Sequence, residues 1–259
     1  MHFSAFRLQQ AIHNREFVPF YQPLVCAGSH EVAGCEVLAR WLHPQKGLLG
    51  AGNFIPAIEA AGLAGELLRC LGDEVCADAK DLIRCTGRRL LMTLNLSLSL
   101  IMTPFFRPYL LALSIRLEQA GVSPVFEITE REDIHAFPQA AAVFRQLAAE
   151  GLRFAVDDFG TGHAGPALLG ASRAAFIKID RKFISGMACA VADRLIARTV
   201  SLARRTDARV IAEGIETPEQ AARLQAAGVD YLQGWHCGAP MPFGLFHYRL
   251  ADKKQPAFS

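Results

Sequence analysis

The feature that most constrains this chain is an alternation. Short runs of apolar, β-branched or aromatic residues are separated by longer stretches whose apolar residues recur at helical spacing. Strand candidates lie at Phe17–Val25, Val32–Trp41, Leu91–Leu96, Val125–Ile128, Arg153–Val156, Ala175–Ile179, Arg209–Ala212 and Tyr231–Leu232. Helical spacing covers Phe54–Ala61, Glu66–Leu82, Phe106–Ala120, Pro138–Ala149, Val191–Thr206 and Pro218–Ala227. Gly121, Gly151 and Gly228 each follow a helical run and precede a strand, where a left-handed C-terminal cap suits glycine. Eight strands alternating with helices within 259 residues fit a parallel sheet closed into a barrel. The first two are joined only by Ala27-Gly28-Ser29-His30, too short for a helical crossover, so an antiparallel hairpin is expected there. The expected fold is therefore α/β: a modified TIM-like (β/α)8 barrel with an antiparallel N-terminal strand, in one domain over residues 1–259.

Composition narrows the partners. With 51% hydrophobic and 20% charged residues the chain can bury one large core, which argues against disorder and against a small stapled scaffold. Lys plus Arg number 27 against 25 Asp plus Glu, so no global field draws the chain to DNA or to an anionic membrane. Any anionic ligand must be recognised locally. The seven cysteines are odd in number and lack paired CxxC spacing, which reads as reduced thiols in a cytoplasmic protein, with Cys35 as core packing. Met1 to Arg15 contains no long apolar segment, and the apolar stretch Leu90–Met102 is broken by Thr93, Asn95, Ser97 and Ser99, so neither secretion nor membrane spanning is expected. The Lys253-Lys254 tail reads as a solvated end.

Carboxylates and carboxamides sit at the C-terminal ends of several strand candidates, the rim on which barrel active sites are built. In Phe154-Ala-Val-Asp157-Asp158-Phe-Gly160 an apolar strand ends in two adjacent acids and a glycine turn. Carboxylates that close repel unless cations lie between them. Asn95 ends the run from Leu90, Glu127 and Glu130 lie in Phe126-Glu-Ile-Thr-Glu130, and Glu213 and Glu216 lie in Ala212-Glu-Gly-Ile-Glu216. Hard oxygen ligands converging on one rim suit magnesium or manganese. Lys178, in Ile177-Lys-Ile-Asp180, shares a strand face with Asp180 and can position water or phosphate in an acidic rim. Taken singly, these residues have plainer readings. Asp158 can cap a helix, Asn95 can serve a turn, Glu130, Asp180 and Glu216 can be solvated or ion-paired, and His163 can be an exposed loop side chain rather than an acid or base. Independent capping explains poorly why Asn95, Glu127, Asp157, Asp158, Lys178 and Glu213 recur at successive strand ends.

The run Gly34-Cys-Glu36-Val-Leu38-Ala-Arg40-Trp41 resembles the Glu-Ala-Leu signature region of the EAL domain family, with Val37 in place of the middle alanine. The likeness continues through Tyr21-Gln22-Pro23, Phe54-Ile-Pro56, Asn95-Leu-Ser97, Phe126 to Glu130, Asp157 to Gly162, Ile177 to Asp180, Ala212 to Glu216 and Leu232-Gln233-Gly234, and spans about residues 7 to 245. The resemblance implies a metal-dependent phosphodiesterase that opens cyclic di-GMP to linear 5′-pGpG. It implies that Glu36, Asn95, Glu127 and Asp157 hold a first Mg²⁺ or Mn²⁺, and that Asp157 bridges to a second ion held also by Asp158 and Glu213. Two ions sharing a water lower its pKa and clamp phosphate oxygens. Lys178 and Glu213 would orient or deprotonate that water. Gln22, Leu38 and Arg40 are similar to substrate-contacting positions, Gln233 to one supporting the ligand, and Glu130, Asp180 and Glu216 to loop or supporting residues. A homodimer is implied as well.

The chain departs from the family at His163-Ala164-Gly165-Pro166, where an aromatic and two small hydroxyl residues usually follow the second glycine. Gly165 adds backbone freedom and Pro166 fixes its own φ, so altered loop mobility is expected. That departure keeps open a second function, a catalytically weak or inactive domain acting as a cyclic di-GMP receptor or protein-interaction module. An unrelated metal-dependent barrel enzyme, such as an aldolase, would leave the motif series unexplained. No sensory, receiver or cyclase domain of ordinary size is expected beside the barrel, so regulation is expected through expression, oligomerisation or a separate regulatory protein partner.

Overall fold

The computed structural model describes residues 3–129, 134–160, 165–185 and 190–252. Helix α1 (Ala5–His13), capped by the Ser4 side chain, leads into a hairpin of β1 (Phe17–Cys26) and β2 (Val32–His43). There follow β3 (Gly47–Gly50), α2 (Ile55–Ala60), α3 (Ala64–Thr86), β4 (Leu90–Asn95), α4 (Leu98–Met102), α5 (Arg107–Gln119), β5 (Val122–Thr129), α6 (Ala140–Ala149), β6 (Phe154–Phe159) and α7 (Gly165–Ser172). The chain continues through β7 (Phe176–Ile179), α8 (Arg181–Ser185), α9 (Ala190–Arg205), β8 (Arg209–Ala212), α10 (Pro218–Ala227), β9 (Tyr231–Leu232), β10 (Met241–Pro242) and α11 (Phe243–Ala251).

From β2 through β4 to β9 consecutive barrel strands pair in parallel, and β1 closes the ring by pairing antiparallel with both β2 and β9. The result is the closed eight-stranded barrel that the sequence pattern called for, with β3 and β10 added outside it. Gly121, Gly151 and Gly228 take φ of 89°, 97° and 87° after α5, α6 and α10, the left-handed caps that release each helix toward its next strand. Helices α1, α4, α7, α8 and α11 were not among the expected elements. Two of them span only five residues, too few for a helical period to register, and α7 opens on Gly165-Pro166, which reads as a turn.

Strand alternation stacks the interior in layers. Leu24, Leu91, Val125, Ala155, Phe176 and Ile211, with Tyr231 beside them, form an apolar plug inside the barrel. Two residues further toward the C-terminal rim of each parallel strand, the inward positions become polar: Glu36, Thr93, Glu127, Asp157, Lys178, Glu213 and Gln233, joined from antiparallel β1 by Gln22. The outward strand faces pack on helices in the main core. There Tyr21 is buried between α3 and α11, its hydroxyl donating to Asp78 at 2.6 Å and its ring stacked 5.8 Å from Phe246.

Gly34 occupies the β2 place in the apolar plug because no side chain fits. A Cβ there would lie 2.1 Å from the Leu91 carbonyl oxygen and 2.7 Å from the Leu91 Cβ. The obstacle is backbone held by the β2–β4 pairing and cannot swing aside. Gly34→Ala is expected to cost roughly 3 kcal/mol or more, at or beyond the upper end of core overpacking, read as a lowered urea midpoint; an unchanged midpoint would contradict this packing.

Candidate functional site

The polar layer is organised around one buried cation. Lys178, 1% exposed, rises from the short strand β7 into the barrel axis. Its Nζ lies 2.5 Å from Glu213 Oε1, 2.7 Å from Glu127 Oε2, 3.3 Å from Glu36 Oε2 and 3.5 Å from Asp157 Oδ1. These carboxylates come from β2, β5, β6 and the end of β8, so the barrel closure itself creates the cluster. Glu36 is held further by Asn95 Nδ2, which donates to Oε1 at 2.9 Å, and by Gln233 Nε2, which donates to Oε2 at 2.6 Å.

Asp157 and Asp158 are consecutive, and a regular strand would turn them to opposite faces. A bulge between Val156 and Phe159 in the β6–β7 pairing removes that restriction, with Asp158 at φ 56°. Its N–H donates to Asp157 Oδ1 at 2.9 Å. The left-handed region is uncommon for any non-glycine residue, though Asp is among those that tolerate it. Asp158 thus lies in the bulged strand, not at a helix N-cap, and single oxygens of Asp157, Asp158 and Glu213 lie within 4.8 Å of one another.

Burial and like charge set the proton affinities. Burial favours a neutral Lys178, yet Asp157, Glu127, Glu213 and Glu36 together hold its pKa well above the usual ammonium value. Burial pushes Glu36 up, but the Lys178 charge and the hydrogen bonds from Gln233, Asn95 and Lys178 outweigh it and leave Glu36 below the ordinary carboxylate range. Glu127 is raised well above that range by burial and then by Glu36, against the pull of Lys178. Glu213 is pushed up to about 8, by burial first, with Lys178 opposing and Asp157 and Glu36 adding.

Five carboxyl groups facing one ammonium leave a negative excess in a low-dielectric site, and three buried polar atoms point to something further: Glu127 Oε1, Thr93 Oγ1 and Gln233 Oε1 lack hydrogen-bond partners. Carboxylate, carboxamide and hydroxyl oxygens are the donor set of a hard divalent cation, and the residues fit one. Among the described residues the Asp157, Asp158 and Glu213 group is already close enough to share an ion.

The residues expected at the ligand lie on the neighbouring ledge of β1 and β2. Gln22, opposite Glu36 in the pairing, accepts from Gln233 Nε2 at 3.1 Å and donates to the Gly238 carbonyl at 3.2 Å. Leu38 and Arg40 follow on the same face of β2, partly exposed. The Arg40 guanidinium sits 5.6 Å from the Phe20 ring centroid and donates to the Ala39 carbonyl at 2.9 Å; burial lowers its pKa while Glu36 opposes. Asp180 lies apart: buried, it accepts from the Lys182 N–H at 2.7 Å at the start of α8. Glu216 is exposed, its own N–H donating to Gln220. Glu130 and His163 fall outside the described residues. Cys35 is fully buried in the core, its thiol pKa raised by burial and by Glu36.

Sequence reasoning passed over Thr93 and Phe20. Thr93 was legible two residues before Asn95 on the inward face, but a threonine in a β-branched run announces nothing. Phe20 becomes visible only through the antiparallel register that sets it across from Leu38, beside Arg40.

The sequence profile of the EAL domain matches residues 6–240. The chain belongs to the EAL domain family. It is 35% identical over 238 residues to the cyclic di-GMP phosphodiesterase PdeL of Escherichia coli K12, covering 91% of this chain and 66% of that protein. It is also 33% identical over 241 residues to the bifunctional diguanylate cyclase/cyclic di-GMP phosphodiesterase MucR of Pseudomonas aeruginosa, covering 91% of this chain and 34% of the relative. The chain therefore spans only part of the curated relatives it matches. Among solved structures, the EAL enzyme Bd1971 with cAMP and cyclic di-GMP bound superposes with a TM-score of 0.85 at 28% identity, over 95% of this chain and 68% of that one. The MucR phosphodiesterase in complex with cyclic di-GMP gives 0.82 at 31% identity, over 92% and 97%. No helix among the described residues is long and apolar enough to cross a membrane.

The acidic layer fixes a pH response for the cation-free EAL domain. Glu213 has its folded pKa raised from 4.5 to about 8, so its contribution to stability is fully present below the unfolded value and is lost as pH rises through the folded one. With a chelator, the melting temperature should fall between about pH 6 and pH 8.5. Millimolar Mg²⁺ should raise it more at pH 8.5 than at pH 6, because the cation competes with that proton. An equal Mg²⁺ effect at both values, measured by scanning fluorimetry, would contradict this electrostatic reading.

Proposed function

We propose that this EAL domain hydrolyses cyclic di-GMP, adding water across one phosphodiester bond to give linear 5′-pGpG, with two divalent cations, Mg²⁺ or Mn²⁺. The observation that carries the reading is the acidic layer around Lys178, closed by the bulge that brings Asp157 and Asp158 to one rim. Glu36, Asn95, Glu127 and Asp157 would hold one cation, and Asp157, Asp158 and Glu213 the second. The cations, when bound, supply Lewis acidity and a water of lowered pKa.

The chain's own residues supply the rest. Lys178, ionised throughout the physiological range, orients an anionic oxygen at the floor of the site and keeps the surrounding carboxylates in place. Glu213, the carboxylate nearest that lysine and only partly buried by its neighbours, is placed to accept the proton of the attacking water. Gln22, Leu38, Arg40 and Gln233 form the ledge for the ligand, with the planar Arg40 guanidinium suited to a phosphate. Glu130, Asp180 and Glu216 retain the supporting roles that the family likeness implies. A cytoplasmic homodimer, open to a regulatory partner, completes the reading.

Purified protein incubated with cyclic di-GMP and Mg²⁺ or Mn²⁺ should yield 5′-pGpG on chromatography, and a chelator should stop it. Asp157→Asn should lower kcat by at least about a hundredfold, since it removes a carboxylate charge that would help hold both cations. Arg40→Met should act mainly on KM. Binding of cyclic di-GMP without turnover under any metal would reject hydrolysis and select the receptor reading that the His163 to Pro166 sequence motivates.

A further inference from the structure

Strand alternation continues one step below the apolar plug, toward the N-terminal mouth of the barrel. The residues two positions before Leu91, Ala155 and Ile211 are Arg89, Arg153 and Arg209. Arg89 and Arg153 immediately precede β4 and β6 and Arg209 opens β8, so continued alternation places three arginines around that mouth. The strands between them contribute Ser123 at the equivalent level and Ala175 against the plug, which add no counter-charge.

Arg209 Nη1 donates to the Tyr231 hydroxyl at 2.6 Å, where β9 descends alongside. Arg153 is half-buried, and burial together with the charges of Arg209 and Arg89 lowers its pKa, so the three side chains sense one another. Among the described residues neither the Arg89 nor the Arg153 guanidinium has a hydrogen-bond or ion-pair partner. Nearby acids are few or engaged. Glu118 attracts Arg153 without reaching ion-pair contact, Asp230 accepts from the Val210 N–H at 2.7 Å, Asp207 is felt by Arg209, and Glu31 is paired with Arg88 at 3.1 Å.

We infer that this lower mouth is a second anion site, built to take a small phosphate-bearing anion, either inorganic phosphate or a phosphate monoester. Guanidinium forks matched to tetrahedral oxygens give charge-assisted, bidentate contacts and relieve the mutual repulsion of the three arginines. The apolar plug of Leu24, Leu91, Val125, Ala155, Phe176 and Ile211 separates it from the Lys178 layer, so its ligand does not compete with one at the upper rim. Nothing in this inference depends on cyclic di-GMP being the substrate.

Calorimetric titration of inorganic phosphate, and separately of ribose 5-phosphate, into metal-free protein tests it, with sodium chloride as the control at matched ionic strength. Saturable binding at one site is expected. Arg153→Met and Arg89→Met should each weaken it at least about tenfold, the loss expected for charge-assisted hydrogen bonds, while Arg145→Met, which removes an exposed guanidinium on α6, should leave it unchanged. Tighter binding of the monoester assigns the site to phosphorylated metabolites, and tighter or equal binding of phosphate assigns it to the free ion. Thermal unfolding checks that the variants fold, and the exposed Arg89 carries the test if Arg153→Met does not. Heats no larger than those of chloride, wild-type affinity in the Arg89 and Arg153 variants, or loss of binding in Arg145→Met would overturn the inference.

Discussion

One buried ammonium surrounded by carboxylates holds the upper half of this barrel in register. Lys178 meets groups from β2, β5, β6 and the end of β8, and the contact with Glu36, four strands away in the sheet, requires the barrel to be closed. Burying an ion costs several kcal/mol, and removing one partner of a buried pair typically costs about 3–5 kcal/mol because the others are left exposed to one another. The site is therefore coupled to the fold. It is also over-supplied with negative charge, which one lysine offsets only in part. The raised proton affinities of Glu127 and Glu213 express that surplus, and a divalent cation relieves it more completely than a proton does.

The fold follows from the same constraint read along the strands. A period of two sends apolar residues inward at one level, polar residues at the next and arginines below, so one rule builds a plug, an acidic layer and a basic mouth. Antiparallel β1 is the exception that shapes the ligand ledge: it runs against both neighbours, carries Gln22 to the polar layer and sets Phe20 beside Arg40. The long β2 extends past the rim and turns its Leu38 and Arg40 over the acidic layer.

Much of this was legible in the sequence because strands and αβ turns leave local signatures. All eight barrel strands, the N-terminal hairpin and the glycine caps at 121, 151 and 228 can be read from periodicity and turn chemistry. The convergence of Asn95, Glu127, Asp157, Asp158, Lys178 and Glu213 could be anticipated from their strand-end positions and that of Glu36 from the family resemblance, although their mutual distances could not. The bulge at Asp158 was hidden, since a left-handed aspartate reads like any acid before a glycine turn. Asp180 looked like a partner of Lys178 on one strand face, yet the chain leaves the strand at Ile179 and Asp180 caps α8 instead of joining the Lys178 contacts. Arg89, Arg153 and Arg209 were dispersed in sequence and gathered only by barrel closure.

The proposed phosphodiesterase chemistry requires two divalent cations in the acidic layer, with Asp157 placed to serve both. Electron paramagnetic resonance of Mn²⁺ titrated into the metal-free domain tests it most directly, because spin counting gives the number of ions and exchange coupling reports a shared ligand. Two coupled ions per chain are expected, falling to one in Asp158→Asn; no bound Mn²⁺, or a single uncoupled ion in both proteins, would rule out the shared site.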